Sequence, residues 1–444
     1  MFFSVIALLS LVRLVVIDPG HFHAALVQKR ANSEIDSEVR VFAPNGVELD
    51  DHLSLIESFN SRAENPTHWQ ERICTDADYL GKFRAAATDG EFGADAVVVL
   101  AGRNDRKGEY ALAAVESGCH VLSDKPMGIT PEVFSKTRAA ALLAKEKGLS
   151  FADLMTDRYS FLVKLQMNLT RCQDFYGEQE KGTEDNPAIV KESVHHFYKV
   201  VNGKPLRRSI WYYDTAKQGE GIVDVATHLV DGVQWALFPN ECLTCEDVKM
   251  LDAREWPTRI SPEQFEKSTG ESTGTAFDCL CNGTFTYALK GVNCKITVVW
   301  NYEAPSGTGD TAYSLMRGTK AEVFIRQGKA EGDRPALYVR PSKEDDADFE
   351  KRLRSALVML SEKSPGLSCE RTGEANVWRI TYPAKYEISH EEQFSLVLCD
   401  FLAKVRSGKS DSQGIDNLIV KYHTLVEAWK ASHRTPETKK EGIR

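Results

Sequence analysis

Residues 95–128 read DAVVVLAGRNDRKGEYALAAVESGCHVLSDKPMG, and this stretch decides the fold. It opens on the apolar run AVVVLA, the pattern of a strand buried on both faces. KGEYALAAVESG then has helical composition and stops on glycine, a common helix terminator. HVLSDKP supplies a second short strand that proline ends. Strand, helix and strand in so few residues form a βαβ unit, which makes the two strands parallel.

The same alternation extends in both directions. Upstream, RLVVID (13–18) is a branched apolar strand, HAALVQKR is helical in composition, and EVRVFAP (38–44) is a strand closed by proline. Downstream, PEVFSKTRAAALLAKEKG reads as a helix and LSFADLM as a last strand. The expected result is an α/β Rossmann-type domain over residues 11–152, a parallel sheet covered by helices. The polar, aromatic excursion over 45–75 interrupts this rhythm and is longer than a routine connection. It reads either as a functional loop or as a surface detour.

Beyond residue 190 the texture changes. AIVKESVHHFYKV, RSIWYYD, GTFTYALKG, CKITVVWNYEA and AEVFIRQGK are aromatic, β-prone runs between glycine and asparagine turns. They predict an α+β domain over 153–444 with a large, mainly antiparallel sheet. EEQFSLVLCDFLAKVRSGKS and NLIVKYHTLVEAWKASHRT return to helical periodicity and are candidates to pack back on the first domain.

Totals bound the function. A chain of 444 residues exceeds one ordinary core, and 42% hydrophobic with 27% charged residues is a globular balance. A net charge of −9 without a basic block argues against nucleic acid and favours a small-molecule partner. Ten cysteines are scattered. CLTC (242–245) and CLC (279–281) could offer four thiolates to zinc, but their spacing suits packed small hydrophobes better, and no metal is expected. The opening MFFSVIALLSLV is apolar, with neither a cationic flank nor a cleavage site, and too short for an independent span. No integral membrane span is expected, and location stays open between cytoplasm and export.

Three segments could carry chemistry. SDKPMG (123–128) places Asp124, Lys125 and Pro126 at the carboxyl edge of the parallel sheet, where ligands sit in open α/β folds. GEGIVDVATHLVDGVQW (219–235) puts Asp224, His228 and Asp231 at i, i+4 and i+7, on one face of a helix. A histidine flanked by carboxylates is a sound proton acceptor. The plain alternative is a helix start with ordinary surface charges. DPGHFHAALV (18–27) lies where a phosphate loop belongs. Gly20 takes the first-glycine position, Ala24 and Ala25 allow close backbone approach, and free amides at the helix start suit a pyrophosphate. His21 and His23 could ligate a metal, but no third ligand is specified locally. A modified pyrophosphate turn, with His21, Phe22 or His23 touching cofactor or substrate, is the reading taken.

Together, Asp-Lys-Pro and the later Gly-x-Gly with Asp-x-x-x-His-x-x-Asp resemble the Gfo/Idh/MocA oxidoreductases. DPGHFHAALVQK, FNSRAENPTHW, HHFYKVVNGKPLRRSIWYYD and VVWNYEAPSGTGDTAYSLMRGTKAEVFIRQGK resemble the branch with a "putative oxidoreductase C-terminal" domain, some members of which are similar to glycoside 3-dehydrogenases. The resemblance implies bound NAD or NADP, with NAD favoured, a sugar or glycoside substrate, and a homo-oligomer. It assigns Gly20, His21, Phe22, His23, Ala101, Asn104, Asp124, Lys125 and Pro126 to the cofactor. Lys107 stands where the family has histidine, and Asp124 where glutamate is more frequent. No acid ends the second strand to meet the cofactor ribose, which leaves NAD and NADP both open.

The mechanism expected places nicotinamide at the carboxyl edge of the Rossmann sheet, against the face of the antiparallel sheet. His228 removes the hydroxyl proton, Asp224 orients that histidine or binds an adjacent hydroxyl, and Lys125 stabilises developing alkoxide charge. Tyr159, His195, His196, Trp211, Tyr213 and Asp231 are candidates to line the sugar site. The rivals are a glycoside lyase or hydrolase that recycles bound NAD, and a silent sugar- or nucleotide-binding protein on the same fold.

Overall fold

The computed structural model describes residues 11–93, 95–201, 204–409 and 411–434. Most of the apolar opening stretch lies outside them. The chain divides into two compact units. One runs to Leu154 and takes in Phe394–Ile415, and the other holds Met155–Gln393 and the chain from Asp416.

The first unit is built on six parallel strands: β1 (Arg13–Ile17), β2 (Glu38–Phe42), β3 (Gln70–Cys74), β4 (Ala96–Leu100), β5 (His120–Ser123) and β6 (Phe151–Asp153). Their order is β3-β2-β1-β4-β5-β6, so the strand order reverses between β1 and β4. These two pair from Arg13↔Ala96 to Ile17↔Leu100. β4 is buried along its whole length, as its uninterrupted apolar run requires. The helices are α1 (His23–Val27), α2 (Val47–Ser61), α3 (Tyr79–Thr88), α4 (Lys107–Glu116) and α5 (Pro131–Lys147). α5 carries complete end signals: Thr130 accepts from the Val133 amide, Pro131 starts the helix, and Gly148 ends it at φ 71.

The excursion over 45–75 is not a loop. It holds α2 and then β3, which pairs with β2 and completes the six-stranded sheet. β3 escapes pattern reading because it lies at the sheet's edge, and QERIC has no apolar run to betray it.

The second unit contains a nine-stranded sheet ordered β10-β11-β12-β7-β13-β14-β15-β17-β16. Its strands are β7 (Ile189–Tyr198), β10 (Val248–Ile260), β11 (Phe277–Leu289), β12 (Val292–Glu303), β13 (Thr311–Arg317), β14 (Ala321–Gln327), β15 (Ala336–Pro341), β16 (Ser368–Arg371) and β17 (Trp378–Thr381). β8 (Val200–Val201) and β9 (Lys204–Pro205) form a separate small pair. All neighbours in the large sheet are antiparallel except β7 and β12. The helices are α6 (Phe161–Thr170), α7 (Gln173–Tyr176), α8 (Thr215–Gln218), α9 (Ala226–Leu237), α10 (Pro262–Thr269) and α11 (Phe349–Ser361). α12 (His390–Ser407) and α13 (Ser412–Ser432) follow. The expected fold class is therefore the one found.

RSIWYYD is a correction. Ile210–Tyr213 form a 3-10 turn rather than a strand, with Trp211 and Tyr213 buried. Asp214 caps α8 by accepting from the Ala216 amide, so local capping overrides the β preference of the aromatic residues. Among the described residues, no helix is long and apolar enough to cross a membrane.

Phe83 anchors the first core: it is fully buried, stacks on Phe92 and meets Phe42 edge-on. Phe83→Ala is expected to cost about 3–5 kcal/mol, read as a lower urea midpoint. An unchanged midpoint would contradict this packing.

Candidate active site

In the first unit, the ends of β1, β4 and β5 bring the DPGHFH and SDKP segments together. Asp124 is 5% exposed, and its Oδ2 lies 3.0 Å from His23 Nδ1 and 3.4 Å from His21 Nδ1. Burial alone would raise the Asp124 carboxyl. The charge of His23, hydrogen bonds from both imidazoles and the charge of Lys107 instead hold it well below the ordinary carboxylate range. The donor that local sequence did not specify beside His21 and His23 is thus Asp124, brought from β5's end, and the three donor atoms lie within 4.8 Å of one another. A buried cation already serves this corner. Lys107, 1% exposed, donates to the Asp124 carbonyl at 2.8 Å, so a bound metal would meet its repulsion. The residue that departs from the family histidine therefore braces the Asp-Lys-Pro backbone.

The phosphate-loop turn differs from expectation. The left-handed residue is Asp18, at φ 50, directly after β1, with Gly20 two positions on. Asp18 is 3% exposed and neutralised by Arg103 at 2.7 Å, while the Tyr110 hydroxyl donates to it at 3.1 Å. Aspartate tolerates this backbone region better than most side chains. The crossing is close: a Cβ on Gly102 would lie 2.0 Å from the Asp18 carbonyl. His21 donates its amide to the Ala101 carbonyl at 3.0 Å. Asn104 is buried, and Phe22 is 45% exposed. A dinucleotide fits this set, because the turn sits where the strand order reverses and Arg103 cancels the one acid in it.

In the second unit, α9 begins only at Ala226, so Asp224 stands in the preceding turn and not on the helix face. The Glu220 carbonyl accepts the Val223 and Asp224 amides, and the Asp224 carbonyl accepts from Thr227. Gly221 presses on β11, where a Cβ would lie 2.2 Å from the Cys281 carbonyl. His228 follows in the first turn of α9, with Nδ1 3.7 Å from Asp157 Oδ2. Asp231, expected at the sugar, is turned inward. Arg158 grips it through two 2.7 Å bonds and Lys421 through one of 2.8 Å. Burial would raise its carboxyl, but the charges of Arg158 and Lys421 hold it well below the ordinary range. Asp157, Arg158 and Lys421 carry no local signal in the sequence; only the fold brings them here. So does Lys191, buried near α9 and bonded to Ser314 at 2.9 Å, whose ammonium burial pushes down to about 8.

The remaining candidates separate. Tyr159, half-buried on the turn that carries Asp157 and Arg158, lies beneath the Lys164 ammonium. His195 and His196 both face Asp310, at 3.2 and 2.9 Å, and Lys199 binds the same carboxylate. Ser193 lies 2.7 Å from His195 Nε2. β7 is paired on both sides here, so this chain clamps residue 310 to the sheet instead of presenting a nucleophile beside an oxyanion donor. Tyr213 bonds Ser268 at 2.6 Å and stacks on Phe197, which makes it a core residue and not a sugar platform. Trp211 is likewise buried.

Residues 165–433 match the model of the family described as "Putative oxidoreductase C terminal domain". A "putative oxidoreductase" from Parabacteroides merdae shares 41% identity, covers 95% of this chain and 97% of its own, and superposes with a TM-score of 0.90. The chain belongs to the Gfo/Idh/MocA oxidoreductases, in the branch that carries this C-terminal domain. Levoglucosan dehydrogenase in complex with NADH and levoglucosan shares its fold at 14% identity and TM-score 0.60, covering 95% of this chain and 97% of its own. A variant 3-ketoreductase from Actinomadura kijaniata, with TDP-benzene and NADP, does so at 12% identity and TM-score 0.55, covering 95% and 98%. No curated protein matches the sequence.

Two outcomes follow from the second unit. Gly221→Ala is expected to destabilise it by about 1–3 kcal/mol through overpacking, read by thermal melting; a wild-type Tm would show that β11 yields. Asp231→Asn leaves Arg158 and Lys421 without their counter-charge and is expected to cost about 3–5 kcal/mol at neutral pH. A depressed carboxyl gives its stabilisation above its unfolded pKa of about 3.9 and loses it as pH falls. The gap between wild type and Asp231→Asn in urea titrations should therefore close on acidification. A gap independent of pH would contradict the ionised triad.

Proposed function

We propose that this oxidoreductase transfers hydride between a sugar or glycoside hydroxyl and NAD(P), with NAD favoured and C3 the carbon oxidised. The observation that carries the reading is His228, held at the start of α9 with Asp157 beside its Nδ1. Nδ1 faces the carboxylate, so Nε2 takes the hydroxyl proton, and Asp157 stabilises the imidazolium that forms. Gly20, Ala101 and the amides at the start of α1 would cradle the pyrophosphate, with Arg103 offsetting Asp18. Bound nicotinamide supplies the hydride acceptor. Lys125 stabilises the developing alkoxide, on a backbone fixed by Lys107. Asp224, set by the turn at Glu220, orients the base or a neighbouring hydroxyl. The NADH and levoglucosan in the complex of the dehydrogenase that shares this fold support the cofactor and substrate class. Oxidation at C3 would acidify the C2 proton and so open a route to loss of the anomeric substituent.

The test begins with denaturing the purified protein and identifying released nucleotide by mass spectrometry. His228→Ala is then assayed on a panel of glucosides. Nucleotide retained with oxidation reduced by about 10²–10⁴ is the expected result. A protein that neither carries nor binds NAD(H) or NADP(H) would overturn the dehydrogenase reading.

A further inference from the structure

A second pair of acids lies directly behind the turn that delivers Asp224. Glu220 is the middle residue of Gly219-Glu220-Gly221, and Glu255 projects from β10. Both side chains are largely buried, at 17% and 5% exposed. His433, just past α13, places Nε2 3.5 Å from Glu220 Oε1 and Nδ1 3.8 Å from Glu255 Oε2. Its ring stacks on Trp429, with centroids 4.0 Å apart. Ser432 donates to Glu255 Oε2 at 2.6 Å. Oxygens of both acids and a nitrogen of His433 fall within 4.8 Å of one another.

Among the described residues, the donors turned to the two carboxylates are His433 and Trp429 for Glu220, and Ser432 and the Ile222 amide for Glu255. Glu220 Oε2 is buried and, among the described residues, has no hydrogen-bond partner of its own. Burial and then the charge of Glu220 raise the Glu255 carboxyl. Burial raises Glu220 too, against the opposing pull of His433. Among the described residues, the charged groups facing the pair are each other and His433. Two such acids cannot both ionise at this separation without large cost, and a proton held between them removes it. His433 Nδ1 lies 2.9 Å from the Trp429 carbonyl, which fixes the ring and turns Nε2 toward Glu220.

The same two residues meet the backbone of the turn, Glu220 through its main-chain carbonyl and Glu255 through its carboxyl. The Glu220 carbonyl accepts the Val223 and Asp224 amides at 3.0 and 3.2 Å, and the Ile222 amide points at Glu255 Oε1 from 3.4 Å. Glu255 thus reaches the turn from β10, the strand paired with β11, and Glu220 lies within the turn itself, so repulsion between two ionised carboxylates would act directly on Gly221–Asp224.

We propose that Glu220 and Glu255 share one proton and, with His433, act as a latch of positioning residues. The latch fixes the turn leading to Asp224 and His228, and loss of the proton loosens that turn. The link to turnover rests on the dehydrogenase reading; the latch itself does not. Glu255→Gln replaces the proton-sharing acid with a permanently neutral group of the same shape, and Glu220→Gln is the second variant should the first fail to fold.

A carboxyl raised in the folded state loses stability as pH rises above the unfolded value of about 4.3. Wild-type Tm should therefore fall between about pH 5 and pH 9 relative to Glu255→Gln. Over that range, amide exchange in the peptide spanning residues 220–228, corrected for intrinsic rate, should rise at least about tenfold in wild type and stay flat in the variant. The alkaline limb of kcat should move upward in the variant with KM unchanged. Superimposable Tm and exchange profiles would overturn the proposal. So would a stabilisation of wild type by magnesium or zinc chloride that Glu255→Gln abolishes, since a cation would then stand in the proton's place. Altered exchange without any sugar oxidation would leave the latch standing and remove the dehydrogenase reading instead.

Discussion

Asp231 carries a full negative charge into the interior of the second unit, where ionisation survives only with partners of opposite sign. Arg158 and Lys421 supply them, and they come from a turn ahead of α6 and from the last helix. One carboxylate therefore joins three separated segments, and the cost of leaving any member unpaired is several kcal/mol. α9 is fixed by this triad, and His228 is fixed with it. Asp157 reaches His228 because its neighbour Arg158 is already committed to Asp231. Buried Lys191 lies under the same field: burial drives its ammonium toward neutrality, while Asp157 and Asp231 oppose that.

A similar economy governs the first unit. The Asp124 carboxylate gathers two imidazoles, and its carbonyl takes the buried ammonium of Lys107. The loop after β1 is consequently tied to the end of β5 by side chains, where glycine-rich loops depend on bare backbone. Glycines permit close approach, whereas His21 and His23 fill the space beside Asp124. That exchange accounts for a loop at this position with only one glycine.

The parts of the fold legible in the sequence were those whose burial leaves a simple pattern. β4 could be read because both its faces are covered, and α5 because it carries a complete set of end signals. β3 could not, since an edge strand of mixed polarity leaves no period to detect. Asp224, His228 and Asp231 were visible as a group, but a helical period assumed one turn too early put Asp224 on a face it does not share. Asp231 illustrates the deeper difficulty. Whether an acid faces substrate or an internal arginine depends on Arg158 and Lys421, which are distant in sequence and typical of solvated residues.

The pairing of β7 with β12 and β13 bears on how the molecule is made. β7 occupies an interior position in its sheet, yet both its neighbours follow it by about a hundred residues of chain. During synthesis this aromatic strand must wait with both edges open until those partners emerge, at a ribosomal pace of about 5–20 residues per second. The first unit waits longer still, because Phe394–Ile415 belongs to it. Neither unit can close on the ribosome in the order in which it is translated. The protein is accordingly one whose yield in the cell should depend on chaperones that shelter unpaired strands.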